Sequence, residues 1–408
     1  MTPEVKERIE QIRHGNVPEG YKKTAAGIIP VDWRCSVIRD CLQIKNNERK
    51  PISEEIRKTI PGPYPYYGPT QAQGYIDNYA SEGPAVLIGE DGDHFLKYKT
   101  KPMTLYVDGQ YTVNNHAHMV VGTEQCTTKW FFYAYQYKSL LSAITRQGAG
   151  RYKLTKEALE KLPLQYPIVD EQLRIVNIIS AQEKIIDLKE KLIENKLQSK
   201  RFLIHKLLTG KIKLFARENE WPTIKLSEVT QEINSKTKCD NEYPVLTSSR
   251  NGLCLQSEYF NKSVASEDTT GYKIIAPEQF TYRAMSDDGI FTFNLSQFEY
   301  LGCVSPAYAV FAVDPQKADA KYIYYLLNSD AFATAIRGYA QGGTRLALKY
   351  KSLATMEIPF PCIEEQKAIG KVLSKVDEEI TLLKKDLDLE KQKKKALMQL
   401  LLTGIVRV

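Results

Sequence analysis

The chain has 408 residues, of which 43% are apolar, 26% charged and 10% aromatic, a length and balance that fit two or three folded domains and exclude a disordered or low-complexity protein. A formal net charge of +7 permits a polyanionic partner without requiring one. The charged opening MTPEVKERIEQIRHG, and the lack of any apolar run near about 18 residues, argue against a signal peptide and a membrane span and make the cytoplasm the expected location. Seven cysteines without a CxxC pair read as reduced, mostly buried thiols rather than a disulfide framework or a zinc site.

In chain order, the apolar runs Ala85 to Gly89, Met103 to Val107 and His118 to Gly122 predict strands, and Lys129 to Ile144 predicts an aromatic helix. A long amphipathic stretch follows. The pattern then recurs: Lys273 to Ala276, Gly289 to Asn294 and Ala309 to Val313 as strands, Ala320 to Ile336 as the matching helix, and a second long amphipathic stretch. Motifs repeat with it. Pro167 to Gln172 (PIVDEQ) returns from Pro361 as PCIEEQ, and Leu207-Leu208-Thr209-Gly210 returns from Leu401, both displaced by 194 positions. A repeat this long is a duplicated domain with its own spacer, not a solenoid period. The expected boundaries are 1–165 for the lead segment and first globular unit, 166–212 for the central spacer, 213–359 for the second unit and 360–408 for the last spacer.

The spacers carry a seam at alternating steps of four and three. In the first it runs Ile175, Ile179, Gln182, Ile186, Lys189, Ile193, Lys196, Lys200, Leu203, Leu207; in the second, Ile369, Leu373, Val376, Ile380, Leu383, Leu387, Glu390, Lys394, Leu397, Leu401. A period of 3.5 kept over about five heptads predicts a coiled coil. Two tandem copies that close on each other approximate a two-fold dimer, and an axis across the helices makes them antiparallel with a globular domain at each end. The fold class is therefore α/β: two tandem α/β domains separated by two long helices in an antiparallel coiled coil, pseudo-two-fold.

Polar loop tips occupy equivalent places in the two copies. The first offers Tyr66, Tyr67, Thr70 and Gln71, then Asn114, Asn115, His116 and His118; the second offers Thr247, Ser248, Ser249 and Arg250, then Ser305 and Tyr308, with Arg283 as a further candidate. Such side chains can read donor and acceptor patterns on base edges. After each aromatic helix comes a basic, glycine-rich stretch containing Arg146, Gln147 and Arg151, or Arg337, Thr344 and Arg345, suited to phosphate contact. Each residue alone also fits a solvated loop. His116 and His118 lie two apart, but no acidic cluster near them favours a metal over strand packing or base contact, and Glu90, Asp91 and Asp93 fit a turn better than a nuclease metal site. No P-loop, no dinucleotide-binding glycine motif and no Asp/Asn-Pro-Pro-Tyr segment is present, so no catalytic, cofactor-binding or metal residues are assigned.

The lead-in Gly27-Ile28-Ile29-Pro30-Val31-Asp32-Trp33, the blocks PIVDEQ and PCIEEQ, and the repeated LLTG before Lys211-Ile212-Lys213 and Ile405-Val406-Arg407 resemble the specificity subunit of type I restriction-modification systems over essentially the whole chain. The resemblance implies a non-catalytic prokaryotic subunit. Its two target-recognition domains would each read half of a split double-stranded DNA sequence. Its helices would act as a ruler and as a dock for two methyltransferase subunits, which two motor-nuclease subunits join. S-adenosylmethionine, ATP and magnesium would then sit on those partners and not on this chain. Two rival readings remain, a single-chain DNA methyltransferase or nuclease, and a coiled-coil scaffold that binds only protein.

Overall fold

The computed structural model describes residues 2–147, 151–215, 220–259, 268–340, 342 and 345–408. The chain forms two compact units: Met1–Leu188 together with Leu387–Val408, and Lys189–Asp386. The long helices, Val169–Leu208 and Ile363–Leu401, are each shared between the units.

In the first unit an antiparallel sheet runs in the order Gln43–Ile44, Ala117–Val121, Ala85–Gly89, Thr104–Val107. All five residues of Ala85–Gly89 are buried. Strand alternation splits them: Val86 and Ile88 join the large core under the helix Thr128–Tyr135, while Ala85 and Leu87 join a smaller core with Tyr111, Val113 and Met119. The latter two cores flank one sheet, so the strand reads as an uninterrupted apolar run. A second sheet, Ala72–Ile76, Tyr64–Tyr67, Gln110–Val113, Ser81–Glu82, includes one parallel pairing, Tyr64–Tyr67 with Gln110–Val113. Arg34–Val37 pairs with Pro163–Tyr166, tying the start of the globular part to the residues just before the long helix. Trp33 is buried edge-on against Trp130, with centroids 5.6 Å apart.

In the second unit the main sheet is Thr230–Glu232, Tyr308–Val313, Phe280–Arg283, Asn294–Leu295, again antiparallel, and Thr223–Lys225 pairs with Glu357–Pro359. Three expected elements come out shorter. The first aromatic helix ends at Tyr135 instead of Ile144, where the Gln136 carbonyl turns to accept the Met103 N–H (2.8 Å). Its counterpart breaks into Ala320–Leu327 and Asp330–Ala335, because Asn328 spends its side chain on Phe293 and Ser329 caps the second piece. Of the expected Gly289 to Asn294 strand only Asn294 is extended, in the pair Asn294–Leu295, since Gly289 takes φ +76° and Asp288 accepts the Ile290 N–H. Of the cysteines, Cys41, Cys126 and Cys303 are buried and Cys239 is exposed, so burial is less general than composition suggests.

The duplicated PxxxEQ blocks have one job in both units. Gln172 is fully buried; its Oε1 accepts the Thr127 N–H (2.8 Å) at the cap of the aromatic helix, and its Nε2 donates to the Gln125 and Pro167 carbonyls (2.8 and 2.9 Å). Gln366 likewise accepts from Asp319 N–H (3.0 Å) and donates to the Pro361 carbonyl (2.8 Å). The preceding glutamate takes the tail of the other long helix. Glu171 accepts Arg407 at 2.6 and 2.8 Å, and Glu365 accepts the backbone N–H groups of Leu214 and Phe215, both at 2.7 Å. Arg407 also grips Asp32 and so holds its carboxyl below the usual range. The glycines of LLTG make that tail possible: Gly210 and Gly404 lie at φ +66° and +71°, and a Cβ on Gly404 would meet Pro30 at 2.5 Å.

All twenty seam positions are buried or half-buried. Within each unit the helices run antiparallel. In the first, Gln182 meets Glu390 (2.6 Å) and Glu183 meets Lys394 (2.7 Å); in the second, Lys196 meets Glu379 (2.7 Å), Lys200 meets Asp377 (2.5 Å), and Lys189 meets Asp386. Lys200 and Lys394, which a parallel register would oppose to each other, each face a carboxylate. Those same carboxylates accept a tyrosine from the aromatic helix, Tyr133 to Glu183 (2.6 Å) and Tyr325 to Asp377 (2.7 Å). Ile380→Ala, at a seam position 4% exposed, should lose about 2 to 5 kcal/mol, whereas Leu382→Ala, at 64% exposed, should stay within about 0.5 kcal/mol. Chemical denaturation midpoints check the contrast.

Candidate nucleic-acid interface

In the first unit, backbone pairing brings three separate loops to one edge. The Glu90 N–H bonds to the His116 carbonyl (2.8 Å), the Leu154 N–H to the Glu90 carbonyl (2.8 Å) and the Gly92 N–H to the Tyr152 carbonyl (3.0 Å). This joins the loop after Ala85–Gly89 both to Asn114–His116 and to the hairpin Thr145–Gln147 with Arg151–Lys153. The Asn114 N–H bonds to the Tyr67 carbonyl (3.0 Å), and the Gly68 N–H to the Gln71 carbonyl (2.9 Å), which adds the Tyr67–Gln71 turn.

Burial divides the expected readers. Thr70, Gln71, Asn115, His116 and Arg146 are exposed, and Tyr67 is half-buried. Tyr66, Asn114 and His118 are buried and are corrected to framework. Tyr66 accepts the Ile52 N–H at its hydroxyl (2.9 Å), and Asn114 accepts the His116 N–H (2.9 Å) while donating to Gln73 (3.2 Å). His118 is filled at both ring nitrogens, by Asn46 (2.8 Å) and the Leu154 carbonyl (2.7 Å). Neither histidine suits a metal pair: His118 is spoken for, and His116 bonds to Asp91 (2.9 Å). Gly148, Ala149, Gly150, Gly343 and Thr344 lie outside the described residues, as do the side chains of Gln147 and Arg151.

Sequence reasoning missed Arg49. It donates to Glu90 (2.7 Å) and to the carbonyls of Asn115 (3.1 Å) and Ala117 (3.3 Å), pinning the loop around Asn115, while Lys153 sits 3.6 Å from Glu90. Its signal was the acidic cluster itself, because Glu90 and Asp91 at a loop edge need cationic partners.

In the second unit a cleft of ≈ 890 Å³ is lined by Thr247, Ser248, Ser249, Arg250, Arg283, Ser305 and Tyr308, so seven candidates from three loops share one concavity. Thr247 is 5% exposed and is corrected to framework, with its hydroxyl 3.4 Å from that of Tyr308. Arg345 reaches the same rim through Asp287 (2.7 Å). Arg337 sits apart, exposed on the turn Ile336–Gly338. Asp287 and Asp288 were not anticipated. Asp288 accepts from Arg250, Ile290 and Ser286, which hold its carboxyl down at about 2.

Residues 30–198 and 218–391 match the model of the type I restriction modification DNA specificity domain, once in each repeat. The chain belongs to that family. It is a non-catalytic specificity subunit of a type I restriction-modification system. It is similar to a type I restriction enzyme specificity subunit of Methanocaldococcus jannaschii, 22% identical over 96% of both chains. With a putative specificity subunit of Haemophilus influenzae it shares 32% identity over 37% of each chain. The fold is also similar to the crystal structure of the S subunit from M. genitalium, with TM-score 0.58, 13% identity, and 90% of this chain and 96% of that chain covered. Among the described residues no helix of the specificity subunit is long and apolar enough to cross a membrane.

Burial holds the His118 ring neutral by lowering its pKa below the ordinary 6.5. An unfolded chain takes up that proton where the folded one does not, so stability conferred by neutral His118 is present above about pH 6.5 and falls as pH drops below it. His94, also lowered by burial, adds to the same slope. Thermal melts between pH 7.5 and 5 should show the first unit weakening on acidification, and His118→Gln should flatten the slope.

Proposed function

We propose that each unit reads one half of a split duplex target, and that the long helices fix the distance between the halves. The observation that carries this reading is the convergence, in both units, of solvent-facing polar and basic side chains from separated loops onto one edge: Gln71, Asn115, His116 and Arg146 in the first, Ser248, Arg250, Arg283 and Ser305 in the second. Amides, hydroxyls and arginines discriminate base edges, and arginines on mobile-length side chains also suit phosphates. Both scaffolds lock these loops by buried hydrogen bonds, so the reading groups are presented on rigid supports.

The outer faces of the helices support a second role as a dock. Ile178, Ile185, Leu188 and Leu389 in the first unit, and Leu192, Leu197, Phe202 and Leu382 in the second, are exposed apolar residues on helices that already have a filled seam. Such stripes fit partner subunits. In this reading two methyltransferase subunits bind there and two motor-nuclease subunits complete the enzyme, in the cytoplasm. S-adenosylmethionine, ATP and magnesium are held by those partners.

The test is co-expression with the methyltransferase subunit, followed by sequencing of modified bases. A bipartite methylated motif is expected. Exchanging residues 35–160 for those of another family member should change one half of it only; a change in both halves sinks the two-reader account.

The ruler is tested separately. Lys189 and Asp386 are ion-paired across the seam, so seven residues inserted after Lys189 and seven before Asp386 keep the heptad phase. The addition is about 10.5 Å at about 1.5 Å per residue, and should lengthen the unread gap by about three base pairs at about 3.4 Å each. An unchanged gap with full methylation would mean that the partner subunits set the separation.

A further inference from the structure

In the second unit the side chain of Arg250 is fixed at both ends. Its backbone forms the turn of the hairpin Leu246–Ser249 with Gly252–Leu255. Asn294, 3% exposed, anchors that hairpin by donating from Nδ2 to Ser248 Oγ (2.7 Å) and to the Ser249 carbonyl (2.8 Å). At the far end, Arg250 Nη2 donates to Asp288 Oδ2. Asp288 is itself held, its Oδ1 accepting the Ser286 hydroxyl (3.0 Å) and the Ile290 N–H (3.2 Å). An arginine carries five N–H donors, and this arrangement engages one. Among the described residues no other acceptor meets the guanidinium, and its orientation is set before any ligand arrives.

Charge separates this arginine from its neighbours in the cleft. Arg283 and Arg345 share the single carboxylate of Asp287, at 4.0 and 2.7 Å, which leaves that trio one positive charge in excess. Among the described residues Arg250 has Asp288 to itself and forms a neutral pair. A phosphate is attracted by the trio but gains little from the neutral pair, where a fixed carboxylate repels it. A neutral base edge loses nothing there. Guanine offers two adjacent acceptors, O6 and N7, to a planar pair of N–H donors, whereas adenine places an N6 donor beside its N7.

We infer that Arg250 reads a guanine in the half-site bound by this unit, with Asp288 as the positioning residue that aims it, while Arg283 and Arg345 serve the phosphates. The inference rests on the bipartite DNA reading proposed above and names the base. Preorganisation is the physical gain: the guanidinium does not have to be ordered on binding.

The experiment uses the complex of the full chain with its methyltransferase subunit. The half-site of this unit is the one that survives the exchange of residues 35–160. In a duplex carrying the motif, each guanine of that half-site is replaced in turn by 7-deazaguanine, which lacks the N7 acceptor. One replacement should weaken wild-type binding by about tenfold and leave Arg250→Ala binding unchanged. Asp288→Asn should relax the same single position of the methylated motif while every other position is read as in the wild type, a pattern that loss of folding cannot produce. The inference is overturned if that half-site contains no G·C pair, or if Arg250→Ala weakens all sequences equally and lowers the salt slope by about one phosphate. A wild-type chain that yields no bipartite motif overturns the proposed function, and this inference with it.

Discussion

The architecture depends on a buried glutamate–glutamine pair at the first turn of each long helix. Gln172 and Gln366 join the helix to the cap of the aromatic helix above it, and Glu171 and Glu365 join it to the tail of the opposite long helix. Taking carboxylates this far from water is tolerable only because every one is met by charge-assisted or backbone donors, and because the helix N-terminus favours negative charge. Remove the donors and a buried anion is stranded. Two adjacent residues thereby connect three pieces of chain that are far apart in sequence, which explains why the blocks PIVDEQ and PCIEEQ are so alike while the loops around them differ.

The seam shows a related economy. Its apolar positions supply burial but do not fix direction, since isoleucine and leucine pack either way. Direction comes from the polar positions. Lys394 on Glu183 and Lys200 on Asp377 are repeats of one another, and each carboxylate also holds a tyrosine hydroxyl from the aromatic helix. Helix pairing and docking of the globular part thus meet at one side chain in each unit.

The repeated motifs, the seam and the helical ends were legible in the sequence because they rest on local rules: a 3.5-residue period, a left-handed glycine after the last turn, carboxylates in the first. The aromatic helices were read too long because apolar residues such as Leu140 and Ala333 keep the periodicity running past the real breaks, and only tertiary partners, Met103 for Gln136 and Phe293 for Asn328, stop the helix there. The same blindness affected the interface. His118 and Tyr66 look like polar tips in one dimension, yet each side chain is buried, His118 on Ala117–Val121 and Tyr66 on Tyr64–Tyr67. Arg49, Asp287 and Asp288 were invisible as participants because the ion pairs that place them at the interface, with Glu90, Arg345 and Arg250, join residues 38 or more positions apart.

The division of the long helices between the units has a temporal side. The second unit is one unbroken stretch, Lys189–Asp386, whereas the first needs Leu387–Val408 to supply Arg407, the second half of its seam and the wall against Trp33. On the ribosome, the domain translated earlier therefore finishes folding later. Until those residues emerge, Glu171 has no guanidinium and Ile175 and Ile179 have no facing helix, so nascent chains expose a half-built coil that other polypeptides can enter.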